Sequence, residues 1–138
     1  MKNPLRIIIV GASGKMGQAL IKQVSNNSDL LLTGAIDQVS CSTLGMDAGI
    51  LFGIKTEVII DDDFESVIKK GDYVIDFTRP EASMGYLEVC VKNNIKYILG
   101  TTGFSDKEKA KISLASKSIP ICFAPNMSVG VNLLVSLV

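Results

Sequence analysis

The sequence contains no histidine, and that absence removes a large part of enzyme chemistry from these 138 residues. Histidine metal sites, Ser–His and Cys–His nucleophile pairs and imidazole acid–base catalysis are all excluded within this chain. A charge imbalance is lacking too. Basic and acidic residues stand at 14 each, which gives no electrostatic case for a nucleic-acid or anionic-membrane partner. No apolar run approaches the ~20 residues of a membrane span. The first apolar run, at Ile7 to Val10, is a short one and not the h-region of a signal peptide, so a cytoplasmic protein is expected. Cysteine is scarce: Cys41, Cys90 and Cys122 have neither metal-ligand nor redox spacing. Cys90 and Cys122 lie inside apolar patterns and read as small buried hydrophobes, whereas Cys41 lies in a polar loop. No metal site is expected. The acidic run Asp61 to Asp63 is explained more simply by helix capping and a favourable dipole.

Apolar residues make up 47% of the chain and charged residues 20%, so a real core can form. The length fits one domain. The most informative stretch is Leu5 to Gly17. A β-branched run, Ile7-Ile8-Ile9-Val10, stops at Gly11, and Gly14 and Gly17 follow. Met16, Leu20 and Val24 then recur on one helical face. This is strand, glycine turn, helix. Gly11 permits a tight turn, Gly14 lets backbone approach a ligand, and Gly17 lets helix and strand pack. The open N–H groups and positive dipole end of the helix suit a phosphate. The spacing is G-x-x-G-x-x-G, which alone is a weak signal; the alternative is a tight strand–helix turn without a ligand. Asp37 strengthens it. It ends a second apolar run, Leu30 to Ile36, and lies 20 residues beyond Gly17. A carboxylate there can accept hydrogen bonds from both adenosine ribose hydroxyls.

A loop rich in Ser and Gly follows from Gln38 to Gly53, then a short strand over Thr56 to Ile60. Asp62 is read as the N-cap of a short helix bearing Phe64, Val67 and Ile68 on one face and ending at Gly71. Tyr73 to Phe77 is the next strand, and Pro80 opens a helix that runs to about Asn93. Lys96 to Leu99 is a strand. Ser105 and Glu108 form a capping box for a polar helix, and Pro120 to Phe123 is a sixth strand. A last helical pattern begins near Val129. Strand and helix alternate, and the strands are continuous apolar runs, as in a sheet covered on both faces. The expected fold is α/β: a Rossmann-like, doubly wound, mostly parallel sheet with helices on both faces. In such a sheet the strand C-terminal ends share one edge, where ligands bind. The unusual segments Gly11 to Gly17, Asp37, Asp76 to Pro80, Gly100 to Gly103 and Ala124 to Met127 fall at those ends.

Four of these segments together resemble the successive motifs of the dihydrodipicolinate reductase family: Gly11-Ala-Ser-Gly-Lys-Met-Gly17, Asp76-Phe-Thr-Arg-Pro80, Gly100-Thr-Thr-Gly-Phe104 and Ala124-Pro-Asn-Met-Ser-Val-Gly-Val-Asn132. Leu44 to Gly49 matches the family's loop after the second strand, and the resemblance covers Leu5 to Val138. It implies NAD(P)H-dependent reduction of 4-hydroxy-tetrahydrodipicolinate to tetrahydrodipicolinate in the diaminopimelate route to lysine. It also implies roles. Gly11, Ala12, Ser13, Gly14, Lys15 and Met16 would hold the pyrophosphate and Asp37 the adenosine ribose. Gly100, Thr101 and Thr102 would pass beside the nicotinamide ribose, with Thr102 also reaching the substrate. Ala124, Pro125, Asn126 and Met127 would contact the nicotinamide amide. Where the family often carries a basic residue after the second-strand acid, this chain has Gln38. NADH is therefore expected to be preferred, with NADPH possible and Lys15 a partial rescue.

The resemblance further implies that residues 1–127 form the dinucleotide-binding domain. Residues 128–138 would begin the connection to a substrate-binding domain absent from this chain. The proton donor and catalytic lysine would lie there, so no catalytic residue is expected here and the chain alone is expected to bind cofactor without turnover. The apolar tail with no charge after Lys117 is read as agreeing with this. The full-length protein is expected to be a homotetramer acting on a small-molecule substrate. Arg79 is read as a solvated helix-start residue in preference to a partner for an anionic substrate. The competing readings are another amino-acid-pathway dehydrogenase and a stand-alone NAD-binding sensor.

Overall fold

The alternating pattern folds as expected. The computed structural model describes residues 3–124. Strands β1 (Leu5–Val10), β2 (Leu30–Ile36), β3 (Ile60–Asp61), β4 (Tyr73–Asp76), β5 (Lys96–Leu99) and β6 (Ile121–Phe123) form one sheet in the order β3-β2-β1-β4-β5-β6. Every neighbouring pair is parallel. Helices α1 (Lys15–Ser25), α2 (Phe64–Val67), α3 (Pro80–Asn93) and α4 (Asp106–Ala115) make the crossovers. The pleat divides the core between two faces. Ile7 and Ile9 of β1 pack with Leu20, Ile21 and Val24 of α1, while Ile8 and Val10 pack with residues of α2, α3 and α4. All four β1 residues Ile7 to Val10 are at most 2% exposed, which explains their uninterrupted apolar run.

The strand order reverses between β1 and β4, so the chain leaves these neighbouring strands in opposite directions and opens a crevice above their C-terminal ends. In register, Val10, Asp76, Leu99 and Phe123 end adjacent strands and bring the segments that follow them to one edge.

Several boundaries differ from expectation: β4 ends at Asp76 and not Phe77, β6 begins at Ile121 and not Pro120, and two further differences have a side-chain cause. Thr56 to Ile59 is not strand. Asp47 captures the N–H groups of Thr56 and Glu57, Glu57 adopts a left-handed conformation (φ 64°), and only Ile60–Asp61 joins the parallel sheet. Residues 46–48 instead meet 58–60 across an antiparallel bridge between Asp47 and Ile59. The cap of α2 is Asp63, not Asp62. The Asp61 carboxylate accepts from the N–H groups of Asp62 and Asp63 and holds them in a turn, and the helix starts one residue later with Ser66 N–H donating to Asp63. The capping box of Ser105 and Glu108 is present, and Pro80 opens α3 as read. Cys90 is fully buried, whereas Cys122 is half-buried beside the α1-face core. The helix expected near Val129 and the connection at 128–138 lie outside the described residues.

The approach of α1 to the end of β1 is the tightest of a glycine to backbone in the fold. A Cβ at Gly17 would stand 2.1 Å from the Gly11 carbonyl oxygen. At Gly85, in mid-α3, a Cβ would meet nothing. Replacing Gly17 by Ala should therefore destabilise the protein by about 2 kcal/mol despite the better helix propensity of alanine. Gly85→Ala should stabilise it by about 0.5–1 kcal/mol. Urea unfolding midpoints check both signs.

Candidate functional site

The crevice is built from the glycine turn outward. Gly11 has φ +73°, which sends the chain from β1 sharply into the start of α1. The Gly14 N–H closes the turn onto Gly11 O at 3.1 Å, and Ala12 N–H is used by the β2 carbonyl of Ile36 at 3.0 Å. Ala12 is fully buried. Gly14 caps α1 without a side chain, and no acidic residue occupies the first turn. The first-turn N–H groups of Lys15, Met16 and Gly17 thus have no helical partner and carry the positive end of the dipole into the crevice. Lys15 is exposed, while Met16 is half-buried against the α1-face core.

Asp37 reaches this turn. Its Oδ2 accepts from Ser13 N–H at 2.8 Å and its Oδ1 from Gln38 N–H at 2.8 Å. Each oxygen keeps a lone pair for another donor. Asp37, Gln38, Gly11 and Gly14 line one side of a cleft of about 270 Å³; Phe77, Thr78, Arg79 and Tyr86 line the other. Arg79 is exposed, in keeping with a solvated helix-start residue, yet it supplies positive charge to the cleft wall. Beside Asp37 the Ser13 hydroxyl joins Thr43 Oγ1 at 2.5 Å and Cys41 Sγ at 3.1 Å. The hydrogen bonds with Ser13 and then Thr43 pull the Cys41 thiol below its ordinary range. Tying Ser13 to this loop is a role no sequence pattern announced.

The turn after β5 closes the far end. Gly100 is buried under Phe77, whose ring Cε1 would lie 2.0 Å from a Cβ at that position. Thr101 is 2% exposed and its hydroxyl pairs with Ser83 Oγ at 2.9 Å, while Thr102 is exposed. Ala124 is buried and its N–H donates to Leu99 O at 2.7 Å. Pro125, Asn126 and Met127 lie outside the described residues. A larger groove of 440 Å³ between α3 and α4, lined by Leu87, Val91 and Leu114, lies away from the C-terminal ends of the strands.

Between the two turns lies Asp76, which opens one of the family-like motifs but has no role assigned from sequence. Asp76 is fully buried and accepts from Thr78 N–H at 2.8 Å, Thr78 Oγ1 at 2.6 Å and the Tyr97 hydroxyl. Burial, and then the Asp76 charge, push the Tyr97 phenol well above its ordinary value, so it remains a neutral donor. An acid inside an apolar run was the available signal; its partners on β5 and α3 were not visible without the sheet register. Among the described residues no His/Cys/Asp/Glu group has a metal-binding arrangement, and no helix is long and apolar enough to cross a membrane.

A parallel sheet in the order 3-2-1-4-5-6, with a glycine turn at its switch point, defines a Rossmann-type domain. Within that class the chain belongs to the dihydrodipicolinate reductase N-terminal family, whose model matches residues 5–127. It is 46% identical over 130 residues to the 4-hydroxy-tetrahydrodipicolinate reductase of Neisseria meningitidis serogroup C (strain 053442), covering 94% of this chain and 48% of that protein. The reductase of Paraburkholderia phymatum is 44% identical over 133 residues, with coverages of 96% and 50%. The chain thus spans about half the length of these curated relatives. A solved dipicolinate-bound dihydrodipicolinate reductase from Paenisporosarcina sp. TG-14 superposes with a TM-score of 0.72 at 29% identity, over 89% of this chain and 48% of that one. An aspartate semialdehyde dehydrogenase with NADP from Candida albicans shares the fold alone, at 12% identity and a TM-score of 0.63 over 88% of this chain and 42% of that one.

The loop that leads from Asp37 to β3 depends on a second carboxylate. Partial burial disfavours the Asp47 anion. Hydrogen bonds from the N–H groups of Thr56, Gly49 and Glu57 and from the Thr56 hydroxyl outweigh it and lower the carboxyl to about 2. A carboxyl lowered on folding stabilises above its unfolded pKa, ~3.9, and loses that contribution as pH falls through the folded value. Wild type should therefore lose more stability than Asp47→Asn between pH ~4 and ~2. At neutral pH Asp47→Ala should cost about 1–3 kcal/mol. Denaturant unfolding as a function of pH checks both.

Proposed function

We propose that this chain is the cofactor-binding half of a nicotinamide-dependent reductase acting on 4-hydroxy-tetrahydrodipicolinate in the diaminopimelate route to lysine. The observation that carries the reading is the hydrogen bond from Ser13 N–H to Asp37, which places the acid of β2 beside the glycine turn at the switch point. A dinucleotide needs that pairing, an anion site at a helix N-terminus and a carboxylate for ribose hydroxyls within one crevice. The residues fit the group. The first turn of α1 offers unpartnered N–H donors with no competing acid, and Asp37 retains acceptor capacity.

In this reading Gly11 to Met16 surround the pyrophosphate. The donors are the N–H groups at the start of α1, and the buried Ala12 shapes the turn. Asp37 takes the adenosine ribose. Gly100, Thr101 and Thr102 flank the nicotinamide ribose, and the exposed Thr102 faces the substrate. Ala124 to Met127 contact the nicotinamide. The bound cofactor supplies the hydride. What the chain supplies is orientation: the glycine turn and the turn after β5 at the two ends of the crevice, an anion-favouring helix terminus, and Arg79 on the cleft wall. The acid and lysine that complete the reaction belong to a second, substrate-binding domain, and the full-length protein is a cytoplasmic homotetramer. This half by itself binds cofactor without turnover.

Cofactor preference follows from charge. The Asp37 carboxylate repels a ribose 2′-phosphate, and the neighbouring Gln38 carries no charge to offset it. NADH should bind more tightly than NADPH by about tenfold, Gln38→Arg should reverse or erase that gap, and Asp37→Ala should weaken NADH by about tenfold. Isothermal titration with both cofactors at moderate salt tests this; tighter NADPH binding by the wild-type chain would contradict it.

A further inference from the structure

Asp76 is an expensive residue where it stands. It lies in register with Val10 of β1 and Leu99 of β5, both buried and apolar, and it is itself 0% exposed. Among the described residues no cation pairs with it; the one ion pair there joins Arg6 and Asp72 at the sheet's other end. A buried carboxylate without a counter-ion is costly unless donors converge on it, and an apolar side chain would fill the same place more cheaply. Donors do converge, and they come from both ends of the crevice. Thr78, whose Cγ2 would lie 2.7 Å from a Cβ at Gly11, packs on the glycine turn and gives Asp76 both its N–H and its hydroxyl. Thr101, in the turn after β5, lies 3.4 Å from the same Oδ1 and is linked to Ser83 of α3. Gly100 N–H donates to the Asp76 carbonyl at 2.7 Å. Tyr97 holds the other carboxylate oxygen. Each hydroxyl has a single proton, and Asp76 accepts those of Thr78 and Tyr97.

We propose that Asp76 is a positioning residue. Its buried carboxylate ties Thr78 on the glycine turn to Thr101 on the turn after β5 and sets the separation of the two ends of the crevice. The inference rests on the dinucleotide reading above and deepens it. A ligand that touches the glycine turn alone tolerates a shift between the ends, whereas one that must span both does not.

The test compares ADP with NADH by titration calorimetry on this chain, for Asp76→Asn and Tyr97→Phe, with thermal unfolding recorded for each. Tyr97→Phe carries the test if Asp76→Asn does not fold. The expected result is a loss of NADH affinity of about tenfold or more in the folded Asp76→Asn and Tyr97→Phe variants, with ADP affinity changed less than about threefold. Equal losses for ADP and NADH would mark a general structural role and overturn the proposal, as would NADH affinities unchanged in both variants. A wild-type chain that binds neither nucleotide would be a separate result, and it would overturn the dinucleotide reading together with this one.

Discussion

The contact on which the rest of the site depends is the seating of α1 on the carbonyl of Gly11. No side chain fits between the helix and the turn at Gly17, so the helix axis and the end of β1 are locked at a distance only glycine allows. That seating fixes where the first-turn N–H groups of α1 point. It also puts Ser13 where its N–H can meet Asp37 from the neighbouring strand. A parallel sheet then does the remainder. Because all strands run one way, Asp37, Asp76 and the turn after Leu99 are delivered to the same edge by backbone pairing.

The two carboxylates at this edge work differently. Asp37 is half-exposed and keeps acceptor capacity toward solvent, as suits a group that meets a ligand. Asp76 is sealed beneath the crevice and is satisfied by the protein itself. The first reads as a recognition group and the second as a brace between the glycine turn and the turn after β5. Asp47 is a third case. It organises the loop between β2 and β3 and leaves the crevice to others.

Much of this was legible in the sequence because it rests on local chemistry. The β-branched run before Gly11, Pro80 at a helix start and the pairing of Ser105 with Glu108 are short-range signals, and each gave the element observed. The parallel sheet followed from alternation and from apolar strands without polar faces. The failures occurred where a side chain reached beyond its own segment. Thr56 to Ile59 has strand composition, but Asp47 claims its backbone from nine residues away. Asp62 and Asp63 are equally good caps by type, and Asp61 decided between them. The Asp76 network joins residues up to 25 apart through sheet register, a relation that no periodicity reports. Family membership was legible because several motifs stood in order, and the matched model and reductase relatives bear it out.

On the proposed function, the switch-point crevice receives the nicotinamide dinucleotide. The most direct test is an NADH titration of the isotope-labelled chain followed by amide chemical shifts. Saturable shifts are expected at Lys15, Met16, Gly17, Gln38, Thr101 and Thr102, with little change at Val91 and Leu114 in the groove between α3 and α4. Shifts confined to that groove, or none at the start of α1, would contradict this reading.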